Sequence, residues 1–82
     1  MTKVKVYSTT TCPYCHMLKS YLKDKNILFE DIILDYNPEK EVEANHICQS
    51  MGVPCTHIVK DDGKEVAILG FNKEALDKEL NL

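Results

Sequence analysis

Two cysteines separated by two residues, Cys12 and Cys15, form the segment of the chain best suited to chemistry. Thiols at this spacing can close a small disulfide ring and can therefore exchange electrons with other thiols. Pro13 is typical of the first position of a helix, so Cys12 is the predicted N-cap. Unpaired backbone N–H groups and the helix dipole favour a thiolate at that position. The sequence therefore predicts Cys12 as the nucleophile and Cys15, one turn inside the helix, as the more buried resolving thiol.

A zinc site is the alternative for these two thiols, with Cys48 and Cys55 supplying the other two ligands. The latter two cysteines are seven positions apart, which does not match the usual second Cys-x-x-Cys pair. They also fall on a different predicted helix and on a strand. Redox chemistry is therefore the favoured interpretation of Cys12 and Cys15.

A second signal is the segment Gly52-Val53-Pro54, which directly precedes a predicted strand. One interpretation is a plain turn between a helix and a strand, with a trans bond before the proline. The other is a cis-proline that brings the backbone of Val53 beside Cys12, where an extended thiol substrate could pair with it. The residues by themselves leave both interpretations open.

The hydrophobic pattern predicts an α/β fold with the order βαβαββα. Strands are predicted at 3–8, 27–34, 55–60 and 65–69. Helices are predicted from Pro13 to about residue 25, from the cap Asn37-Pro38 to Gly52, and after the cap Asn72. A helical crossover makes the first two strands parallel, and Asp62-Gly63 predicts a hairpin between the last two. The expected result is a four-stranded mixed sheet with helices on both faces.

The composition fits one small domain over residues 1–82, of which 44% are hydrophobic. All 10 basic residues are lysines, 13 residues are acidic, and the net charge is -3, which argues against nucleic acid or an anionic membrane as partner. The first residues lack the apolar stretch of a secretory signal, so the predicted location is cytoplasmic. The core candidates are Phe29, Ile32, Leu34, Val59, Ile68, Leu69 and Leu76.

The segment from Tyr7 to Cys15, with its Cys-Pro-Tyr-Cys motif, is followed by Val53-Pro54 and then by Gly70-Phe71-Asn72. In a βαβαββα chain this combination resembles a dithiol glutaredoxin of the thioredoxin fold, over essentially the whole sequence. The resemblance implies a cis-Pro54, a Cys12 nucleophile, no bound cofactor or metal, and a monomer. It also implies glutathione as reducing cosubstrate and disulfide-containing or glutathionylated proteins as partners. The glutathione contacts that it implies are Tyr14, Val53, Pro54, Gly70, Phe71 and Asn72.

Two positions depart from the family pattern. Thr9 stands where many glutaredoxins carry a lysine that holds a glutathione carboxylate, and Gly70-Phe71 stands where many show Gly-Gly or Gly-Cys. Gly-Phe is similar to hydroredoxins that depend on thioredoxin reductase, so an electron carrier reduced by that enzyme is a second hypothesis. A third is a module holding an iron–sulfur cluster between two chains through Cys12 and glutathione, which Pro13 disfavours.

The two remaining cysteines have separate expectations. Cys48, on the second predicted helix, is expected to be a small buried hydrophobic residue, because structural disulfides are disfavoured in the cytoplasm. Cys55 directly follows Pro54 and is expected to be an inert core thiol. The alternative for Cys55 is a third redox thiol or a glutathionylation site near Cys12.

Overall fold

The computed structural model describes residues 2–49 and 52–80 and has, within them, the predicted order of four strands and three helices. The sheet order is β2-β1-β3-β4, with β1 parallel to β2 and antiparallel to β3, and β3 antiparallel to β4. This confirms the predicted α/β thioredoxin fold with a mixed sheet. The elements are β1 (Lys3–Ser8), α1 (Pro13–Asp24), β2 (Glu30–Ile33), α2 (Lys40–Cys48), β3 (Cys55–Val59), β4 (Glu65–Leu69) and α3 (Lys73–Leu80).

The sheet has a hydrophobic cluster on each face, because alternate residues of a strand point to opposite sides. Val4 and Val6 of β1 pack with residues of α1 and α3, whereas Tyr7 of the same strand packs on the other face with Ala44 of α2 and with Cys55. Helices α1 and α3 therefore cover one face and α2 covers the other. None of the helices in the described part of the chain is both long and apolar enough to cross a membrane.

Helix α1 is held to the sheet by its own buried side chains. Its residues Cys15, Leu18 and Leu22 are fully buried, one or two turns apart on the same side. The helix ends at Asp24, with Lys25 as its C-cap, and the following Asn26 has a φ of 59°, in the left-handed region that asparagine tolerates. Ile27 then donates its backbone N–H to the carbonyl oxygen of Leu22 over 2.9 Å. This bond closes the helix end, and the second strand therefore begins at Glu30 rather than at the predicted Ile27.

Helix α2 differs from its prediction at both ends. Asn37 does not cap it, because the Asn37 side-chain amide donates to the carbonyl oxygen of Ile33 over 3.1 Å in the preceding turn. The helix begins at Lys40 without a side-chain cap and ends at Cys48, four residues before Gly52. Val42, predicted to carry its apolar side, is 76% exposed. A predicted contribution of Met51 lies outside the described residues.

The core prediction is confirmed for Ile32, Ile68 and Leu76, which are buried. Phe29 and Leu34 are partly buried against the two clusters. The prediction for Leu69 is wrong, because its side chain is 47% exposed at the end of the edge strand β4. The composition of β4 favoured burial, but no strand covers its outer edge within the described residues.

Candidate active site

Cys12 lies where the chain leaves β1 and enters α1. Its backbone is extended, with φ -97° and ψ 109°, and Pro13 occupies the start of the helix. The Cys12 sulfur accepts a hydrogen bond from the backbone N–H of Cys15 over 3.2 Å, which confirms the predicted N-cap. The thiol is free and partly exposed. This geometry places a backbone N–H donor against a sulfur that is partly exposed, as the predicted nucleophile requires.

Cys15 has the opposite surroundings. It is a free thiol with no exposed surface. Burial, followed by the side-chain hydrogen bond with Cys12, raises the pKa of Cys15 to about 12. A backbone hydrogen bond of Thr9 and the positive charge of Lys19 act against this rise. At neutral pH Cys15 therefore keeps its proton. The contrast agrees with the predicted division into nucleophile and resolving thiol, and these roles stay predictions.

The bond between Val53 and Pro54 is cis, as the family resemblance implied. Pro54 is buried, and the carbonyl oxygen of Val53 lies 4.0 Å from the Cys12 sulfur. The carbonyl oxygen of Pro54 accepts the backbone N–H of Gly70 over 2.7 Å. The structure thus brings Cys12, Val53 and Pro54 together and ties Gly70 to them.

Of the other predicted glutathione contacts, Phe71 and Asn72 have partners within the chain, whereas Tyr14 is largely exposed. Tyr14 is 62% exposed. The ring of Phe71 lies edge-on to Tyr21, with 5.9 Å between centroids. The side-chain oxygen of Asn72 accepts the backbone N–H of Ala75 over 3.1 Å, which confirms the predicted cap of α3. The contacts of Tyr14, Phe71 and Asn72 with glutathione stay predictions.

A groove beside Val53 was not predicted. Its volume is about 350 Å³, and its wall carries two carboxylates, Asp35 and Glu41. Asp35 accepts hydrogen bonds from the backbone N–H and the hydroxyl of Thr10, which hold its carboxylate close to the Cys12 loop. The signal available in the sequence was Thr9 in place of the usual lysine. The groove is lined by Thr9, Leu34, Asp35, Glu41, Asn45, Gly52 and Val53.

A second feature missed in the sequence lies along α1, one turn after Cys15. The ammonium group of Lys19 donates to the hydroxyl of Ser8 over 3.1 Å and pairs with the carboxylate of Asp31 at 3.2 Å. Ser8 has no exposed surface, and the Lys19 side chain is only 12% exposed. These contacts fix a positive charge near the buried thiol.

The predictions for Cys48 and Cys55 are wrong, because the two residues form a disulfide with 6.3 Å between their Cα atoms. Cys55 is buried, as expected, but it is neither an inert thiol nor a free third redox thiol. The fold explains the pairing: Cys55 points to the face of the sheet that α2 covers, and α2 ends at Cys48. Both sulfurs are bonded to each other and cannot complete a zinc site with Cys12 and Cys15.

The fold and the site define a class of protein: a thiol oxidoreductase of the thioredoxin fold, with a Cys-x-x-Cys pair at a helix start beside a cis-proline. A glutaredoxin family model matches residues 4–62, more than half of the 82 residues. The chain belongs to the glutaredoxin family.

Individual relatives agree with this assignment. An uncharacterized glutaredoxin-like 8.6 kDa protein in the rubredoxin operon of Clostridium pasteurianum is 41% identical over 75 residues, covering 92% of this chain and 93% of that protein. The SPbeta prophage-derived thioredoxin-like protein YosR of Bacillus subtilis is 40% identical over 70 residues, covering 84% and 82%. The crystal structure of a glutaredoxin from Archaeoglobus fulgidus superposes with a TM-score of 0.81 at 29% identity, covering 100% of this chain and 89% of the other.

Proposed function

We propose that this protein reduces disulfides by thiol–disulfide exchange at Cys12, with Cys15 as resolving thiol and glutathione as reducing cosubstrate. One observation carries the proposal. The partly exposed Cys12 sulfur accepts a backbone N–H at the start of α1, while Cys15 beside it is buried and protonated at neutral pH. Cys12 is thus suited to attack a substrate disulfide, and Cys15 is suited to resolve the resulting mixed disulfide.

The reaction with a protein disulfide has two exchange steps. The Cys12 thiolate attacks one substrate sulfur, the substrate disulfide breaks, and the second substrate sulfur leaves as a thiolate that takes up a proton. Cys15 then loses its proton and attacks the Cys12 sulfur, which releases the substrate as a thiol and closes the Cys12–Cys15 disulfide. Two glutathione molecules reduce that disulfide and leave as oxidised glutathione. The substrate gains two electrons and two protons.

A protein–glutathione mixed disulfide needs only Cys12. The thiolate attacks the glutathione sulfur, the protein leaves as a thiol, and a second glutathione regenerates Cys12. An extended substrate segment is proposed to pair with the backbone at Val53, whose carbonyl oxygen lies 4.0 Å from the Cys12 sulfur. Disulfide-containing and glutathionylated proteins are the proposed partners. A cytoplasmic location and a monomeric state stay predictions.

A second candidate is an electron carrier reduced by thioredoxin reductase. The groove beside Val53 supports it, because its wall carries the carboxylates of Asp35 and Glu41 and has Thr9 where many glutaredoxins have a lysine. Glutathione is itself an anion, and like charges at a binding surface weaken association. The relative from Bacillus subtilis that is named thioredoxin-like also supports this candidate.

The experiment that separates the candidates is a pair of turnover assays on wild type and Cys15→Ser. One assay supplies glutathione and glutathione reductase, and the other supplies thioredoxin reductase. With glutathione as reductant, Cys15→Ser keeps removal of glutathione from a glutathionylated peptide but loses reduction of a protein disulfide. Cys15→Ser inactive at every glutathione concentration, beside a wild type reduced efficiently by thioredoxin reductase, would instead establish the second candidate.

The charge of the groove gives a matched test. Asp35→Asn removes a negative charge beside the Cys12 loop and should raise kcat/KM for glutathione about two- to fivefold. Asp24→Asn is the control, because it removes the same charge at the far end of α1. That end lies roughly 16 Å along the helix from Pro13, a distance at which salt largely screens the interaction between exposed charges. An equal response of the two variants would show that the groove does not select the reductant.

A further inference from the structure

The two residues of the Cys48–Cys55 disulfide differ in burial. Cys55 has no exposed surface, and its sulfur lies 3.8 Å from the carbonyl oxygen of Ala44. Cys48, at the last position of α2, is partly exposed. An attacking thiolate needs access to only one sulfur of a disulfide, because the other is the leaving group. Of the two residues, the partly exposed Cys48 is therefore the one at which we expect a thiolate to attack, with Cys55 as the leaving group.

Helix α2 depends on this bond more than α1 depends on any single contact. Ala44 is its buried residue, and Val42 is 76% exposed. Its start has no side-chain cap. Apart from the disulfide, it is tied to the sheet by partial packing of Ile47 and by the hydrogen bond from the Tyr7 hydroxyl to Glu43 over 2.8 Å. Little apolar area thus holds α2, and local opening is easiest where such area is small.

The same bond is linked to the Cys12 site by the chain itself. The disulfide closes a loop from Cys48 to Cys55, and this loop contains Val53 and the cis-Pro54 beside Cys12. Helix α2 also forms part of the groove wall through Glu41 and Asn45. Release of the bond would free one wall of the groove and the end of the substrate-facing loop.

We propose that Cys48–Cys55 is a second redox centre, opened by a dithiol reductant while the protein stays folded, and that its opening weakens substrate binding at Cys12. A thiolate of the dithiol attacks the Cys48 sulfur, the Cys48–Cys55 bond breaks, and Cys55 leaves as a thiolate and takes up a proton. The second thiol of the reductant then attacks its own partner sulfur and releases Cys48, which is protonated. The reductant becomes a disulfide, and the protein gains two electrons and two protons.

The first test uses the variant Cys12→Ser/Cys15→Ser, in which only the second pair remains, so its result does not depend on the proposed function. The protein is equilibrated with mixtures of reduced and oxidised dithiothreitol, quenched in acid and alkylated. Mass spectrometry then gives the number of alkylated thiols. Expected is a single transition from zero to two alkylated thiols, with the circular dichroism of the sheet retained. Amides of α2 should exchange hydrogen about tenfold faster after reduction, while amides of α1 keep their protection.

Two results would overturn the redox centre. One is two free thiols in the fully oxidised protein. The other is a disulfide that opens only when the circular dichroism shows the sheet unfolding, since the bond would then be purely structural.

The second test concerns substrate binding and rests on the proposed function. Cys48→Ser leaves the bond permanently open, and the KM for a short peptide disulfide should rise about threefold or more with kcat changed less than about twofold. Val42→Ser is the control, because it alters an exposed position of the same helix. Equal KM values for Cys48→Ser and wild type would overturn the link to Cys12. An inactive wild type would instead refute the proposed function and leave the dithiothreitol titration to decide the redox centre.

Discussion

The two cysteine pairs use the same side chains at opposite ends of helices. Cys12 and Cys15 lie within the first turn of α1, where a backbone N–H points at the Cys12 sulfur. Cys48 is the last residue of α2, where carbonyl groups accumulate partial negative charge, and it is bonded across to β3. The first environment stabilises a thiolate, and the second does not. The end of the helix thus separates a pair expected to open readily from a pair whose disulfide is expected to be harder to reduce.

The helices next to the two cysteine pairs also differ in how firmly buried side chains hold them to the sheet. Helix α1 is held by Leu18 and Leu22 in the core, so opening or closing a bond at its start leaves the helix in place. Helix α2 buries only Ala44 among its described side chains, so its position relies on the bond at its end. A disulfide can open without moving its helix where other buried side chains already hold that helix in place.

The largest expected difference between the pairs is catalytic. Cys12→Ser should lower exchange activity about a thousandfold or more, because a serine hydroxyl does not ionise near neutral pH and the neighbouring thiol of Cys15 is buried. Cys48→Ser should keep kcat within about twofold. Initial rates with a peptide disulfide measure both. Substantial activity in Cys12→Ser would mean that the nucleophile is wrongly assigned.

The next difference concerns stability, where Cys48→Ser should have the larger effect and Cys12→Ser the smaller one. Cys48→Ser should lower the free energy of unfolding by about 2–3 kcal/mol, the value for a crosslink that closes a short loop. Cys12→Ser should change it by less than about 0.5 kcal/mol, because serine is a good N-cap. Urea unfolding of Cys48→Ser and Cys12→Ser, each compared with wild type that has the Cys48–Cys55 disulfide closed, gives both values; the disulfide is kept closed in Cys12→Ser as well. Equal losses would remove the distinction between the pairs.

The pairs should also open in a fixed order. Stabilisation of the Cys12 thiolate favours the reduced form of the first pair, whereas the end of α2 offers Cys48 no such help. The second pair should therefore need about a tenfold higher ratio of reduced to oxidised dithiothreitol. Mass spectrometry of alkylated wild type across that series shows which cysteines react first. Opening of Cys48–Cys55 before Cys12–Cys15 would contradict this account.

Burial of Cys15 predicts a pH dependence within the first pair. Its pKa is raised to about 12, so the thiolate fraction at neutral pH is small and grows about tenfold with each pH unit. Release of a peptide thiol from a mixed disulfide at Cys12 should therefore accelerate about tenfold per pH unit, about a hundredfold from pH 7 to pH 9. Cys15→Ser, which lacks the resolving thiol, is the control. A rate already constant above pH 7 would show that Cys15 ionises readily.

The smallest effect tests how far α2 relies on its crosslink. Glu43→Gln weakens the hydrogen bond that Tyr7 donates to a carboxylate, and the free energy of unfolding should fall by about 0.5–1 kcal/mol. Urea unfolding with the disulfide closed measures this loss. A loss as large as that of Cys48→Ser would show that the hydrogen bond, rather than the disulfide, holds the helix.

The features that the sequence predicted correctly depend on local chemistry or on a specific motif. The caps at Cys12 and Asn72 follow from residue type and position, and cis-Pro54 follows from the resemblance to glutaredoxins. The errors arise from tertiary packing. Asn37 is engaged by a carbonyl of the turn before α2, and Cys48 meets Cys55 only because helix and strand share one face of the sheet. Spacing along the chain does not encode either contact.

The sheet has a consequence for how the four cysteines pair. Four cysteines can form three different sets of two disulfides. In the folded chain, Cys12 and Cys15 belong to the cap and first turn of α1, a helix that covers one face of the sheet, while Cys55 points to the other face together with Ala44. The sheet therefore acts as a partition against scrambling. We therefore expect a folded molecule to close and open a Cys12–Cys15 disulfide without exchanging partners with Cys48–Cys55.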